Sequence, residues 1–333
     1  MNSMRAVTLK AFGDSSMLQL SRVAQPTLSR ATDLLIKVAA AGVNRADIVQ
    51  RHGHYPPPPG ISDILGLEVS GVVVKIGEGV RRFREGDRVM ALLGGGGYAE
   101  FAVAHEGSVM KIPDGYSFAE AAAIPEAFIT AWQLLKQHGK LAEGERVLVH
   151  AGASGVGTAV LQLANKVFKA NTIATCSAGK VEFCRNFSSL VVDRAPDTKG
   201  SCFLNKIRES LGDNGVDVIV DPVAGGTYLN EDATLLARDG RIVVIAFMGG
   251  SRATISLSTL LQKRASIIFS KLRDQTDEYK ASLVESFETE AIPYLKRRVI
   301  TPVLQRTFSI DEVGNAHRLV EENQTNGKVV LTL

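Results

Sequence analysis

Apolar residues fall into two textures along this chain of 333 residues. From Arg5 to about Lys111 they come in short alternating runs broken by glycine, as at 33–38, 69–76 and 88–92, which predicts a β-rich unit. Beyond Pro125, apolar runs alternate with helical patterns, and this predicts a parallel sheet wrapped by helices. Strands are read at 146–150, 172–175, 190–193, 216–220, 241–246 and 266–269. Helices are expected at 156–168 and 228–236, and turns at 213–215 and 239–240. From Glu278 onward come two helical patterns and a final strand, 328–333, which needs a sheet to join. Returning it to the first β unit is the economical solution.

The expected class is therefore α/β: a doubly wound parallel sheet of the Rossmann type, at 125–277, inserted into a β-rich domain made of 1–124 and 278–333. Composition supports a globular chain, with 45% hydrophobic and 22% charged residues. A net charge of +3 is too small to argue for a nucleic acid partner. The basic clusters Arg81-Arg82-Phe83-Arg84 and Lys296-Arg297-Arg298 read as solvated faces. No apolar run approaches the ~20 residues of a membrane span, and the first residues lack the apolar stretch of a secretory signal, so a cytoplasmic protein is expected. Cys176, Cys184 and Cys202 are too few and too irregular for a disulfide framework.

The run Glu145 to His150 reads as a buried strand and leads straight into Gly152-Ala153-Ser154-Gly155-Val156-Gly157, followed by a helical pattern. In that context glycines let backbone amides approach a pyrophosphate, which sits at the positive end of the helix. An NAD-preferring site carries an acidic residue about 20 positions further on, at the end of the second strand. Here the place reads Thr175-Cys176-Ser177-Ala178-Gly179-Lys180, with a cation and no carboxylate. NADPH is the expected cofactor. A catalytic zinc needs three ligands from Cys, His and carboxylate. The cysteines lie apart, and His52 and His54 have no obvious third partner, so no metal is expected.

Further landmarks run the length of the chain: 40–47 (Ala-Ala-Gly-Val-Asn-Arg-Ala-Asp), Gly66-Leu67-Glu68-Val69-Ser70-Gly71, Glu85-Gly86-Asp87-Arg88-Val89, Ala121 to Pro125, and Gly327-Lys328-Val329-Val330-Leu331. With them the chain resembles the medium-chain dehydrogenase/reductase superfamily, and within it the zinc-free quinone oxidoreductases. The stretches 44–58 and 150–159 are most similar to animal members. The resemblance implies a GroES-like catalytic domain and NADPH held in a cleft. It implies that Asn44 and Leu67 stand where zinc-containing relatives have their cysteine and histidine ligands. It brings Tyr55, Asn44 and Thr130 to the nicotinamide end, and Gly152, Ser154, Gly155, Val156 and Gly157 to the pyrophosphate. Ser177 and Lys180 would lie near the 2′-phosphate, and Phe247, Met248, Gly249, Ser270 and Leu272 would line the cofactor. Two departures stand out. Ala178 replaces a common serine, and Asp193-Arg194 replaces a tyrosine; Arg194 can compensate by pairing with phosphate, and Asp193 would oppose it.

The implied activity is NADPH-dependent reduction of a quinone, by hydride or stepwise electron transfer, with Tyr55 on its proline-stiffened loop 56–59 donating a hydrogen bond to the acceptor. Reduction of an enone or alkenal double bond would use the same geometry. A non-catalytic NADPH-holding protein, RNA-binding or crystallin-like, is the alternative of another class. The apolar run at 266–270, around Ile267, is expected to be a sheet edge that pairs with its two-fold mate in a homodimer.

Overall fold

A computed structural model describes residues 2–212 and 214–333. The chain divides into two compact units, Met1–Ile129 with Leu272–Leu333, and Thr130–Lys271. The sequence reading drew these borders at 124 and 277; the helix Pro125–Trp132 carries the chain across the first.

In the second unit six strands lie in the spatial order Leu190–Asp193, Asn171–Cys176, Arg146–Val149, Val216–Asp221, Leu236–Val244 and Ser266–Phe269. Every neighbouring pair is parallel. In chain order this is 3-2-1-4-5-6, the doubly wound arrangement whose first strand feeds the phosphate turn. Parallel strands covered on both faces read as continuous apolar runs, and Val147, Leu148 and Val149 are fully buried, as are Val218, Ile219 and Ile242. Ser266–Phe269 is an edge strand, as its pattern implied.

Two details differ from the pattern. The expected turn at Asp239-Gly240 is a bulge inside the strand Leu236–Val244, where pairing skips from Val216↔Leu236 to Val218↔Arg241 and Asp239 takes φ 61°. The turn read at 213–215 begins at Asp213, which lies outside the described residues.

The first unit holds a sheet ordered Leu304–Ser309, Lys328–Thr332, Asp33–Val43, Glu68–Ile76, Arg88–Leu92 and Val109–Lys111, with Phe101–His105 also paired to Asp33–Val43. The last strand of the chain does return here, antiparallel to Asp33–Val43 with Val329 opposite Val43. Its parallel neighbour Leu304–Ser309 was not read from the sequence, because only Phe308 of its six residues is buried. Leu34, Ile36, Val69, Val73 and Val89 form the centre of this core. No helix among the described residues is long and apolar enough to cross a membrane.

Candidate active site

The second unit supplies the phosphate turn. Strand Arg146–Val149 ends at His150, and the chain reverses through Ala151, which takes the left-handed φ of 53° that the sequence would have assigned to a glycine. The glycines serve close approach instead. A Cβ at Gly157 would stand 2.4 Å from the Ala151 carbonyl, and one at Gly152 would stand 2.9 Å from the Ala174 Cβ. Ser154 caps the helix Gly155–Lys166: its hydroxyl accepts the Gly157 amide at 2.9 Å, and its carbonyl takes the Thr158 amide. Its own amide is spent on Ala151. First-turn amides such as those of Gly155 and Val156 have no partner within a helix.

Beneath the turn lies a buried polar cluster that sequence reasoning missed. His150 Nδ1 is 2.8 Å from Thr175 Oγ1, and its Nε2 is 2.8 Å from Asp232 Oδ1. All three residues are fully buried, so the ring ties the ends of two strands to the helix Tyr228–Leu235. Burial holds the imidazole down at about 4 and pushes Asp221 up to about 7, with Asp232 adding to the latter. His150, Asp221 and Asp232 are the three side chains among the described residues whose donor atoms come within 4.8 Å of one another, as a metal site requires. Both imidazole nitrogens are already engaged, so the cluster is built as an anchor.

At the end of the second strand, Arg194 Nη2 is 3.4 Å from Ser177 Oγ, and Lys180 closes the one-turn helix that Ser177 precedes. Asp193 does not oppose them freely. Lys206 Nζ donates to its carboxylate at 3.1 Å and to its carbonyl at 3.0 Å. Phe247, Met248 and Gly249 are exposed, and the Phe247 ring lies 6.3 Å from that of Phe269. The Ser270 hydroxyl donates to Gln133 at 3.0 Å, and Thr130 is half-buried. Leu272 is buried and belongs to the first unit.

The first unit carries the other two expected residues, each held by groups that the sequence left unnoticed. Asn44 is half-buried beside an internal ion pair. Lys328 Nζ donates at 2.6 Å to Glu68 Oε1, at 2.6 Å to Asn44 Oδ1 and at 3.1 Å to the Val43 carbonyl, so its three protons have three acceptors. Asn44 Nδ2 donates to the same Glu68 oxygen at 2.9 Å, and the other accepts the Glu126 amide at 2.8 Å. Gly42 makes room, since a Cβ there would lie 2.1 Å from Glu68 Oε1. Asp47 accepts from the amides of Asn44 and Gly66 and from the Tyr98 hydroxyl, and burial pushes it up to about 6.

Tyr55 is fixed by Arg273. The buried guanidinium donates to the carbonyls of Tyr55 at 3.0 Å and Gly94 at 2.7 Å, and to Gln50 Oε1 at 2.7 Å, while lying 5.0 Å from the Tyr55 ring centroid. Burial, then the Glu126 carboxyl, pushes the phenol up to about 12, so it keeps its proton at neutral pH. Glu126 itself is pushed up to about 8, by burial first and then by Glu68.

This donor set does not fit a catalytic zinc ion. Asn44 gives its oxygen to an ammonium, Leu67 is apolar and 1% exposed, and His52 is tied to Glu321 at 2.9 Å. A cation already sits against Asn44 and Glu68, and it is the side chain of Lys328.

Glu126 makes a testable contribution to stability. Its folded value of about 8 lies above the ordinary 4.5, so its contribution is complete below 4.5 and is lost as pH rises through 8. Glu126→Gln removes this slope. Urea unfolding should show the variant gaining on the wild type between pH 5 and 9 by about 2 kcal/mol, discounted for partial exposure. A difference independent of pH would contradict the assignment.

Residues 30–114 match the alcohol dehydrogenase GroES-like domain, and residues 190–331 match the zinc-binding dehydrogenase domain. The chain is 32% identical over 339 residues to a quinone oxidoreductase of Lama guanicoe, covering 99% of this chain and 98% of that protein. It is 32% identical over 340 residues to the Homo sapiens quinone oxidoreductase, with the same coverage. Among solved structures, the apo JamJ enoyl reductase superposes with a TM-score of 0.86 at 27% identity, covering 99% of each chain. The chain therefore belongs to the quinone oxidoreductases of the medium-chain dehydrogenase/reductase superfamily, oxidoreductases that use nicotinamide cofactors.

Proposed function

We propose that this protein reduces quinones with NADPH and without a catalytic zinc. The observation that carries the cofactor choice is the pair of cations at the end of the second strand: Lys180 and Arg194 flank Ser177, and Asp193 is neutralised by Lys206. The residues suit the group. Gly155 and Val156 would hold its pyrophosphate with their amides, and Lys180 and Arg194 would pair with its 2′-phosphate. When bound, the reduced nicotinamide supplies a hydride.

Tyr55 serves the acceptor. Charge that develops on the acceptor oxygen is stabilised by a donor already aimed at it, and this helps the transition state more than the ground state. The phenol is a neutral donor at working pH, and the Arg273 clamp limits the reorientation it would otherwise need. Asn44, with its amide set by Lys328 and Glu68, is the second polar group of this half. The same donor could serve an enone carbonyl, and the likeness to an enoyl reductase supports keeping that second reading in the assay. Steady-state oxidation of NADPH with a panel of quinones and enones tests the proposal; turnover with enones alone would favour the second reading, and turnover with neither would sink both.

We also propose assembly as a homodimer through the edge strand near Ile267. Phe269, on that strand, is 63% exposed, and Leu257 and Leu261 on the adjoining helix Leu257–Lys263 are 74% and 80% exposed, more apolar surface than an edge normally leaves uncovered. Sedimentation at micromolar concentration should read two chains, and one chain would refute it.

Fluorescence titration should find NADPH bound at least tenfold tighter than NADH, about 1.4 kcal/mol. Lys180→Ala and Arg194→Ala should each narrow the gap, and so should Lys206→Met, which frees the Asp193 carboxylate. Equal dissociation constants for the two nucleotides would overturn the cofactor assignment. For Tyr55→Phe the expected result is a kcat more than tenfold lower with a weakly oxidising quinone, NADPH affinity within about twofold, and a smaller defect with stronger oxidants. An unchanged kcat for every acceptor would reduce Tyr55 to a wall of the pocket.

A further inference from the structure

Two of the three cysteines meet directly below the second-strand turn. Cys176 is the last residue of the strand Asn171–Cys176, and Cys184 is the last of the short helix Val181–Cys184. They pack together with Ala153 in a small apolar cluster, 2% and 0% exposed. Their side chains are neighbours, and each thiol is the leading influence on the other's acidity. A Cβ at Gly152 would lie 3.6 Å from Cys184 Sγ, so the pair underlies the phosphate turn as well. Cys202 lies apart from them, beside Glu231 and Thr227.

The surroundings divide the two sulfurs chemically. The neighbouring Cys184 thiol lowers the Cys176 thiol, opposed by burial and Asp193 and assisted by Lys180 and Arg194. Cys184 is pushed up, first by Cys176 and then by burial. The thiolate is the nucleophile in thiol oxidation, which makes Cys176 the attacking sulfur and Cys184 the resolving one. The turn 177–180 follows Cys176, and its Ala178 and Gly179 are exposed. A brief opening of that turn would admit a small oxidant.

We propose that Cys176 and Cys184 form a site of oxidative modification that closes to an intramolecular disulfide with a hydroperoxide as oxidant, and that closure loosens the adjoining cradle of Ser177, Lys180 and Arg194. The Cys176 thiolate attacks the peroxide oxygen, the O–O bond breaks, and an alcohol or water leaves with a proton from solvent. Cys184 then gives its proton away and attacks the resulting sulfenic sulfur, and water leaves. Two thiols lose two electrons and the peroxide gains them. A disulfide of about 2.0 Å is far shorter than any thiol hydrogen bond, so closure draws Val181–Cys184 toward the strand. Lys180 immediately precedes that helix, and the Arg194 amide is bonded to the Cys176 carbonyl at 2.9 Å, so both cations move with it. This consequence rests on the cofactor reading given above; the disulfide does not.

Peptide mass mapping after treatment of the full chain with hydrogen peroxide should find a 176–184 disulfide, formed more slowly when NADPH is present, and Cys202→Ser should behave like the wild type. With Cys184→Ser, a dimedone adduct should accumulate on Cys176. Oxidation confined to Cys202, or no 176–184 linkage, would overturn the modification site whatever the cofactor. Titration of the oxidised protein should show NADPH bound at least fivefold more weakly than in the reduced protein, with NADH nearly unchanged, and recovery on reduction by dithiothreitol. Unchanged NADPH affinity in a protein shown by mass to be oxidised would overturn the effect on the cradle. A reduced protein without NADPH preference would overturn both the cofactor reading and that effect, leaving the disulfide to stand or fall on the mass data.

Discussion

A buried ammonium organises the β-rich half of this protein. Lys328 and Glu68 meet at 2.6 Å with side chains 5% and 0% exposed. Taking two such charges out of water is costly, and only a full set of hydrogen bonds makes it tolerable. The set is full: all three ammonium protons have acceptors, and Glu68 also receives the Asn44 amide and the Glu126 backbone. Much follows from it. The last strand must lie beside Asp33–Val43 for Lys328 to reach, Gly42 must lack a side chain for Glu68 to fit, and Asn44 can offer its amide in one orientation only. Burial makes the neighbouring acids hold their protons more tightly, Asp47 to about 6 and Glu126 to about 8, while the Lys328 ammonium pulls both back down.

The nucleotide-binding half is arranged around a different internal anchor. His150 is locked between Thr175 and Asp232, which sets where the strand ends and the phosphate turn begins. Ser154 then spends its hydroxyl and carbonyl on the first turn of the helix. Near the second-strand turn, Lys206 pairs with the Asp193 carboxylate. Two thiols lie under this same turn, so its shape and its redox state are mechanically connected.

Local pattern made the parallel sheet legible, including its edge strand, because buried parallel strands are continuous apolar runs bounded by turn residues. The glycine turn was equally plain, since it lies within one strand-turn-helix unit. The partners that hold the site were not. Lys328 and Glu68 are 260 positions apart, and Arg273 meets the Tyr55 carbonyl across 218. Each of those residues looks like an ordinary surface charge until the sheet is assembled. His150, Asp221 and Asp232 left a fainter trace, as polar residues at the ends or within apolar elements, but nothing local says that they converge. The strand Leu304–Ser309 was missed because Phe308 is its only buried residue and most of the others are polar.

The central claim is that the cation beside Asn44 and Glu68 is the internal ammonium of Lys328, which leaves the proposed chemistry without a zinc ion. Metal content and activity measured on one preparation, before and after exhaustive chelation, test it most directly. The account predicts no stoichiometric zinc and undiminished NADPH-dependent quinone reduction after chelation. One tightly held zinc per chain, with activity lost on its removal and restored on its return, would contradict it.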